Sequence, residues 1–272
     1  MKIPSTRVVV PNLFTLGATF CGISALWLAF EAKGAEGADD IYLATTLIPL
    51  ACFLDGLDGR VARMLNGETK FGMELDSLSD AITFGVAPGF LLYAWALKPY
   101  ELGGLFVAFV FAAAAMVRLA RFNVQTADPA RGNRYFTGLP APMGGMGIAA
   151  IIALQIEVFG RSAALDHERP FLAAYAVLLA FLMVSEVPFR TFKDVRMTGS
   201  VKVALGAVLA AVVAVGLWQG FMISLSLVHT VYLLTGLGAA LFGRRVAAAG
   251  GGAVVSDTED EDEGGAPPSS ST

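Results

Sequence analysis

The chain has 272 residues, of which 56% are hydrophobic and only 15% charged, with a mean hydropathy of +0.65. Apolar content at that level, broken by short charged loops, excludes an ordinary soluble domain and describes a polytopic helical membrane protein. The formal net charge of −4 owes much to one acidic run near the C-terminus, and no nucleic-acid partner is expected.

Taken in chain order, Lys2 and Arg7 precede an apolar run with no small-residue cleavage site, which predicts a retained first span. A short interfacial piece carrying Ile3, Val8, Val9 and Val10 is expected ahead of it, and Asn12 reads as a helix cap. Apolar segments able to span as helices of roughly 20 residues lie near 12–31, 41–63, 72–97, 102–122, 140–159, 170–188, 201–217 and 222–242. The fold expected is therefore all-α, a membrane bundle of about eight transmembrane helices. Cys21 and Cys52 both fall in apolar segments and should pack as small hydrophobes, without a disulfide. Trp27, Trp95 and Trp218 stand near span ends and read as interfacial anchors. With eight spans, all of the 19 lysines and arginines except Lys33, Lys98, Arg161 and Arg169 collect on one side. That bias makes both termini cytoplasmic. Residues 1–245 are expected to form a single transmembrane domain, and 246–272 a disordered acidic tail.

The second and third segments carry four aspartates in the pattern Asp55-x2-Asp58-Gly59-x2-Ala62-Arg63-x8-Gly72-x3-Asp76-x3-Asp80. An aspartate at the centre of a membrane helix costs roughly 2.5–3.5 kcal/mol, so four unpaired ones would cost on the order of 10 kcal/mol. Spacings of three and four residues place each pair on one helix face. A turn at Asn66-Gly67-Glu68 lets the two faces meet near the cytoplasmic surface. Oxygen ligands without His or Cys suit a hard divalent cation, Mg²⁺, Mn²⁺ or Ca²⁺. Gly59, Ala62 and Gly72 keep the neighbourhood small, and Arg63 offers planar donors to phosphate. On these residues a metal-dependent enzyme acting on a pyrophosphate ester and a divalent-cation carrier are both open. A carrier should show a second set of interrupted helices, and no matching acid pairs follow Asp80.

The eight fixed positions of this 26-residue window resemble, without a gap, the signature of the CDP-alcohol phosphatidyltransferase family. The resemblance implies transfer of a phosphatidyl group from a CDP-activated lipid to an alcohol, with release of CMP and a divalent metal. It implies that Asp55, Asp58, Asp76 and Asp80 hold the metal, that Asp76 and Asp80 are catalytic, and that Asp80 is the general base. Asp55, Asp58, Gly59, Ala62, Arg63 and Gly72 would lie against the cytidine diphosphate.

Pro11-Asn12-Leu13-Phe14-Thr15, Phe84-Gly85-Val86-Ala87-Pro88, Arg118-Leu119-Ala120-Arg121-Phe122-Asn123 and Phe136-Thr137-Gly138-Leu139-Pro140-Ala141-Pro142 look like the branch of the family that uses serine. The substrates implied are CDP-diacylglycerol and L-serine, and the chain is expected to be a homodimer. The compact chain without organelle signals points to a bacterial inner membrane, and the basic residues to a site facing the cytoplasm. A sibling using glycerol phosphate, inositol phosphate or choline is the nearest alternative. For the serine carboxylate, Arg121 and Asn123 are the first candidates, then Arg118 and Arg134. His229 reads as a packed core histidine, His167 as part of a solvated run, and Glu186 as structural.

Overall fold

In the computed structural model, residues 6–33, 37–127, 138–160, 164–187 and 220–250 are described, with the backbone alone at 126, 127, 237 and 239–250. The regular structure among these residues is all helical, with no strand. Helix α1 spans Thr6–Glu31, α2 Gly37–Leu65, α3 Lys70–Asp80, α4 Ala87–Leu92, α5 Glu101–Ala127, α6 Ala141–Phe159, α7 Arg169–Val184 and α8 Phe221–Gly250. Two π-helical stretches, Ala81–Val86 and Tyr93–Leu97, join α3 and α4 into one rod that ends in the 3₁₀ turn Lys98–Tyr100. The runs Thr6–Glu31, Gly37–Met64, Lys70–Gln125 and Ala141–Phe159 are long and apolar enough to cross a membrane, and Arg169–Val184 and Phe221–Gly236 are shorter apolar helices. This is an integral membrane protein. Its exposed large apolar side chains, such as Phe20, Phe30, Phe53, Phe106 and Phe181, face outward where lipid would lie.

Several sequence expectations shift. The interfacial piece and the first span are one helix from Thr6, with Pro11 inside it, so Asn12 is no cap. Pro11 lacks the N–H that would bond the Arg7 carbonyl, and Gly67 packs so closely against that carbonyl that a Cβ on Gly67 would collide with it. The segment 201–217, Trp218 and the tail beyond 250 lie outside the described residues. The helix α8 runs to Gly250, past the end expected for the last span near 242. Cys21 and Cys52 are both free.

The long run Lys70–Gln125 doubles back at Lys98–Glu101, where Glu101 takes a left-handed φ of 49°. Beyond that bend, Gly85 lies against Ala115, Gly89 against the Ala108 carbonyl and Gly104 against Leu97, so small residues let α4 and α5 approach closely in antiparallel fashion. Helix α6 occupies the centre, with Gly145 against Phe84, Gly144 against Met183 and Gly147 beneath His229. Gly138 has φ 88° and approaches the Met183 carbonyl, room that only a glycine leaves. Its N–H bonds Val187 at 2.9 Å and that of Leu139 bonds Leu182 at 2.9 Å, which locks the start of α6 to the end of α7. From α1 to α7 the chain thus alternates in direction, with α3 and α4 counting as one rod. One end of the bundle carries the α2–α3 turn, the start of α1 and the ends of α5 and α7.

Candidate active site

The acid-bearing hairpin is built by its turn. Helix α2 stops because Asn66 takes φ 50°, while Gly67 N–H bonds the Ala62 carbonyl at 2.9 Å and Asn66 N–H bonds Arg63 at 3.2 Å. That is the Schellman termination, with Asn in the left-handed position. Helix α3 starts because the Thr69 hydroxyl accepts the Gly72 N–H at 3.0 Å. The hairpin sets Asp55 of α2 against Asp76 and Asp80 of α3, with one carboxylate oxygen from each lying within 4.8 Å of the others. Asp80 is 9% exposed, and Asp55 and Asp76 are half-buried. The π-helical turn begins directly after Asp80 and re-aims the face that follows, so Thr83 and Phe84 continue into the core. Such turns gather at functional sites.

Asp58 does not join that group of three. It is 7% exposed and accepts a hydrogen bond from the Thr15 hydroxyl of α1 at 2.6 Å, while remaining in electrostatic reach of the other acids. Gly59 opens onto space in which a Cβ would meet nothing within 4 Å, whereas a Cβ on Gly72 would press on Thr69 and on Asn12 Oδ1. Asn12 is therefore placed beside the hairpin. Arg63 is exposed and folds back on its own helix, donating to the Gly59 carbonyl at 3.0 Å. Ala62 is half-buried in the last turn of α2.

The candidates for the acceptor separate. Arg118 is half-buried, lies 5.7 Å from the centre of the Phe122 ring and interacts electrostatically with Asp80. Asn123 exchanges hydrogen bonds with Ser77, one residue past Asp76, at 2.9 and 3.2 Å. Arg121 turns away to Glu186 and the Val184 carbonyl, each at 3.2 Å. Arg134 lies outside the described residues. His229 is 3% exposed and meets the Tyr175 hydroxyl at 3.1 Å, and His167 is exposed. Trp95 is no interfacial anchor. It is 6% exposed and donates to Gln155 Oε1 at 2.6 Å. Sequence reading missed Thr15, Ser77 and Ser79 as partners of the hairpin, although Thr15 closes the Pro11–Thr15 string and both serines fall between or beside Asp76 and Asp80.

The residues fit a divalent cation. Three carboxylates so close repel one another, and Asp76 Oδ1 and Asp80 Oδ1 are buried without a hydrogen-bond partner. Buried charges are paired or coordinate metals, and an all-carboxylate donor set suits Mg²⁺, Mn²⁺ or Ca²⁺.

Comparison with known proteins meets this geometry. The sequence profile of the CDP-alcohol phosphatidyltransferase family matches residues 8–187, from the first turn of α1 to just past α7. The chain belongs to that family. Among curated relatives, a CDP-diacylglycerol--serine O-phosphatidyltransferase of Mycobacterium tuberculosis is 32% identical over 79% of this chain and 72% of its own length. Proteins of that name from Helicobacter pylori (35% identical, 68% of this chain and 73% of the relative) and Bacillus subtilis (32%, 68% and 91%) are also similar. The profile match takes in all four aspartates and the Thr15–Asp58 and Ser77–Asn123 bonds that tie the hairpin to α1 and α5.

Proposed function

We propose that this protein transfers the phosphatidyl group of CDP-diacylglycerol to the hydroxyl of L-serine, giving phosphatidylserine and CMP. The observation that carries the reading is the convergence of Asp55, Asp76 and Asp80 in a chain whose relatives from Mycobacterium, Helicobacter and Bacillus bear the serine transferase name. Asp55, Asp76 and Asp80 would hold the cation, with Asp58 at their edge. When bound, it would polarise the phosphoryl oxygens and offset the charge that develops on the departing CMP.

The chain's own groups supply the rest. Asp80 accepts the serine proton as the serine oxygen bonds to the lipid-side phosphorus and the bridging bond to CMP breaks, a direct displacement with no enzyme-bound intermediate. The space beside Gly59 admits the nucleotide, with Ala62, Arg63 and Gly72 along the same side of the hairpin. Arg118 supplies the positive charge for the serine carboxylate, and Asn123, held by Ser77, lines the same wall. Among the described residues one group of acids can hold a metal, which is what a single catalytic centre needs and a carrier built on two repeats does not have.

The same reading includes eight spans with both termini cytoplasmic, in a bacterial inner membrane, with the site facing the cytoplasm. Val187 beside Gly138 and Gly220 beside Glu157 stand at opposite ends of the bundle, which supports that count. Residues 1–245 would act as one catalytic domain, paired as a homodimer, with the acidic tail outside it.

The test is CMP release by purified, detergent-solubilised protein given CDP-diacylglycerol and Mn²⁺ or Mg²⁺, with serine compared against glycerol 3-phosphate, inositol phosphate and choline. Release that needs both metal and serine, and yields phosphatidylserine, is the expected result. Release with another alcohol alone overturns the choice of acceptor, and no release from folded protein overturns the reaction.

A further inference from the structure

The family signature ends at the two acid helices, but the structure adds a third. Thr15 and Thr19 stand four residues apart on one face of α1, and each reaches a different acid-bearing helix. The Thr15 hydroxyl donates to Asp58 Oδ2 of α2 at 2.6 Å. The Thr19 hydroxyl donates to Ser79 Oγ of α3 at 2.7 Å, and Ser79 donates in turn to the Thr15 carbonyl at 3.1 Å. Ser79 sits in the turn between Asp76 and Asp80.

A threonine hydroxyl has one proton to give. The Pro11 carbonyl, at 3.4 Å, competes for it poorly against a carboxylate at 2.6 Å. Thr15 is 3% exposed and Asp58 7%, so water does not replace the bond if it is removed. A β-branched threonine in a helix has few χ1 rotamers, and the 2.6 Å bond to Asp58 selects the one that Thr15 holds. The bond fixes where the Asp58 carboxylate points, beside the close group of Asp55, Asp76 and Asp80 and within electrostatic reach of it.

We infer that Thr15 is a positioning residue: it presets the Asp58 carboxylate so that the four acids take up a divalent cation together. The inference rests on the metal reading above and concerns a residue outside the signature. Partners that orient acids around a metal are worth roughly 10–100-fold in metal affinity.

The test is Mn²⁺ binding by the purified full chain without substrates, followed by titration calorimetry, for wild type, Thr15→Val, Thr15→Ser, Asp58→Asn and the Thr15→Val/Asp58→Asn double variant. Thr15→Val is expected to raise the Mn²⁺ Kd about tenfold, Thr15→Ser to restore it to within about threefold, and Thr15→Val to add nothing when Asp58 is already Asn. Thr15→Ala, smaller and free of strain, gives the same readout should Thr15→Val not fold. A wild-type Kd in either folded variant overturns the inference, as does an equal effect of Thr15→Val with and without Asp58. Wild-type protein that takes up no Mn²⁺ overturns the metal reading itself, and a serine-dependent activity with unaltered metal binding overturns only the role of Thr15.

Discussion

Two buried polar clusters lie at opposite ends of this bundle, and they are built to opposite rules. At the far end Trp95 Nε1 donates to Gln155 Oε1 at 2.6 Å, Gln155 Nε2 donates to Glu168 Oε2 at 3.3 Å, and the same oxygen accepts the Leu165 N–H at 3.1 Å. Donors and acceptors there alternate between the π-helical stretch Tyr93–Leu97, α6 and the segment that leads into α7, and the chain of bonds closes within the protein. At the α2–α3 hairpin three acceptors face one another with no donor among them, and Asp76 Oδ1 and Asp80 Oδ1 are left without partners. A saturated network rigidifies a fold, whereas an unsaturated one of like charge costs stability until something binds. The first cluster holds the bundle together, and the second has the donor set to hold a cation.

The widest separation between them comes from the acids. Asp80→Asn should cut kcat by about 10²–10⁴-fold while nucleotide binding persists and the melting temperature without metal does not fall, because repulsion has been relieved. Full turnover in that variant would remove Asp80 as the base. Removing Arg118, the cation facing Asp80, comes next: Arg118→Gln should raise the serine KM roughly tenfold, with a smaller change in kcat, since it removes binding more than chemistry. At the far end Gln155→Leu should do the reverse. It strands the Trp95 N–H and costs about 1–3 kcal/mol, read as a melting temperature lower by several degrees at unchanged kcat per folded molecule. If that variant lost turnover without losing stability, the contrast between the ends would collapse. Gly72→Ala is milder. Its Cβ would stand 3.2 Å from Thr69 Oγ1 and 3.3 Å from Asn12 Oδ1, a contact relieved by shifts of a few tenths of an ångström. The KM for CDP-diacylglycerol should rise about threefold with kcat nearly constant.

What the sequence made legible is the local part of this contrast. Seven of the eight expected segments coincide with described helices, because long apolar runs have no other stable form in lipid. Asp55 meets Asp76 and Asp80 because the acids share helix faces and the turn read at Asn66-Gly67-Glu68 is short, whereas the Thr69 cap that starts α3 was not read. Contacts between distant helices were not legible. Thr15 and Asp58 are 43 residues apart, and Trp95 and Gln155 are 60 apart. Nothing within either helix says that its neighbour will bring the partner, so Trp95 passed for an interfacial anchor and the bond that Thr15 gives Asp58 went unread. Asn12 passed for a cap because it precedes an apolar run, whereas the helix starts at Thr6 and runs straight through Pro11.

Arg118 and Arg121 show the finest limit, and give the smallest predicted effect. Three apart at the end of α5, they share a face by spacing alone, and both satisfied the same positive-inside bias. The rotation of α5 decides between them: it turns Arg118 toward Asp80 and leaves Arg121 to bridge Glu186 and the last carbonyls of α7. The Arg121 and Glu186 side chains are 37% and 83% exposed, so their ion pair is a surface one worth about 0–1 kcal/mol. Arg121→Gln should therefore leave the serine KM within about twofold and the melting temperature within a degree or two, with Glu186→Gln giving the same small change and the double variant no more than either. A large rise in serine KM from Arg121→Gln, matched by none from Glu186→Gln, would mean that the guanidinium leaves this bridge when serine arrives, and would return Arg121 to the acceptor site.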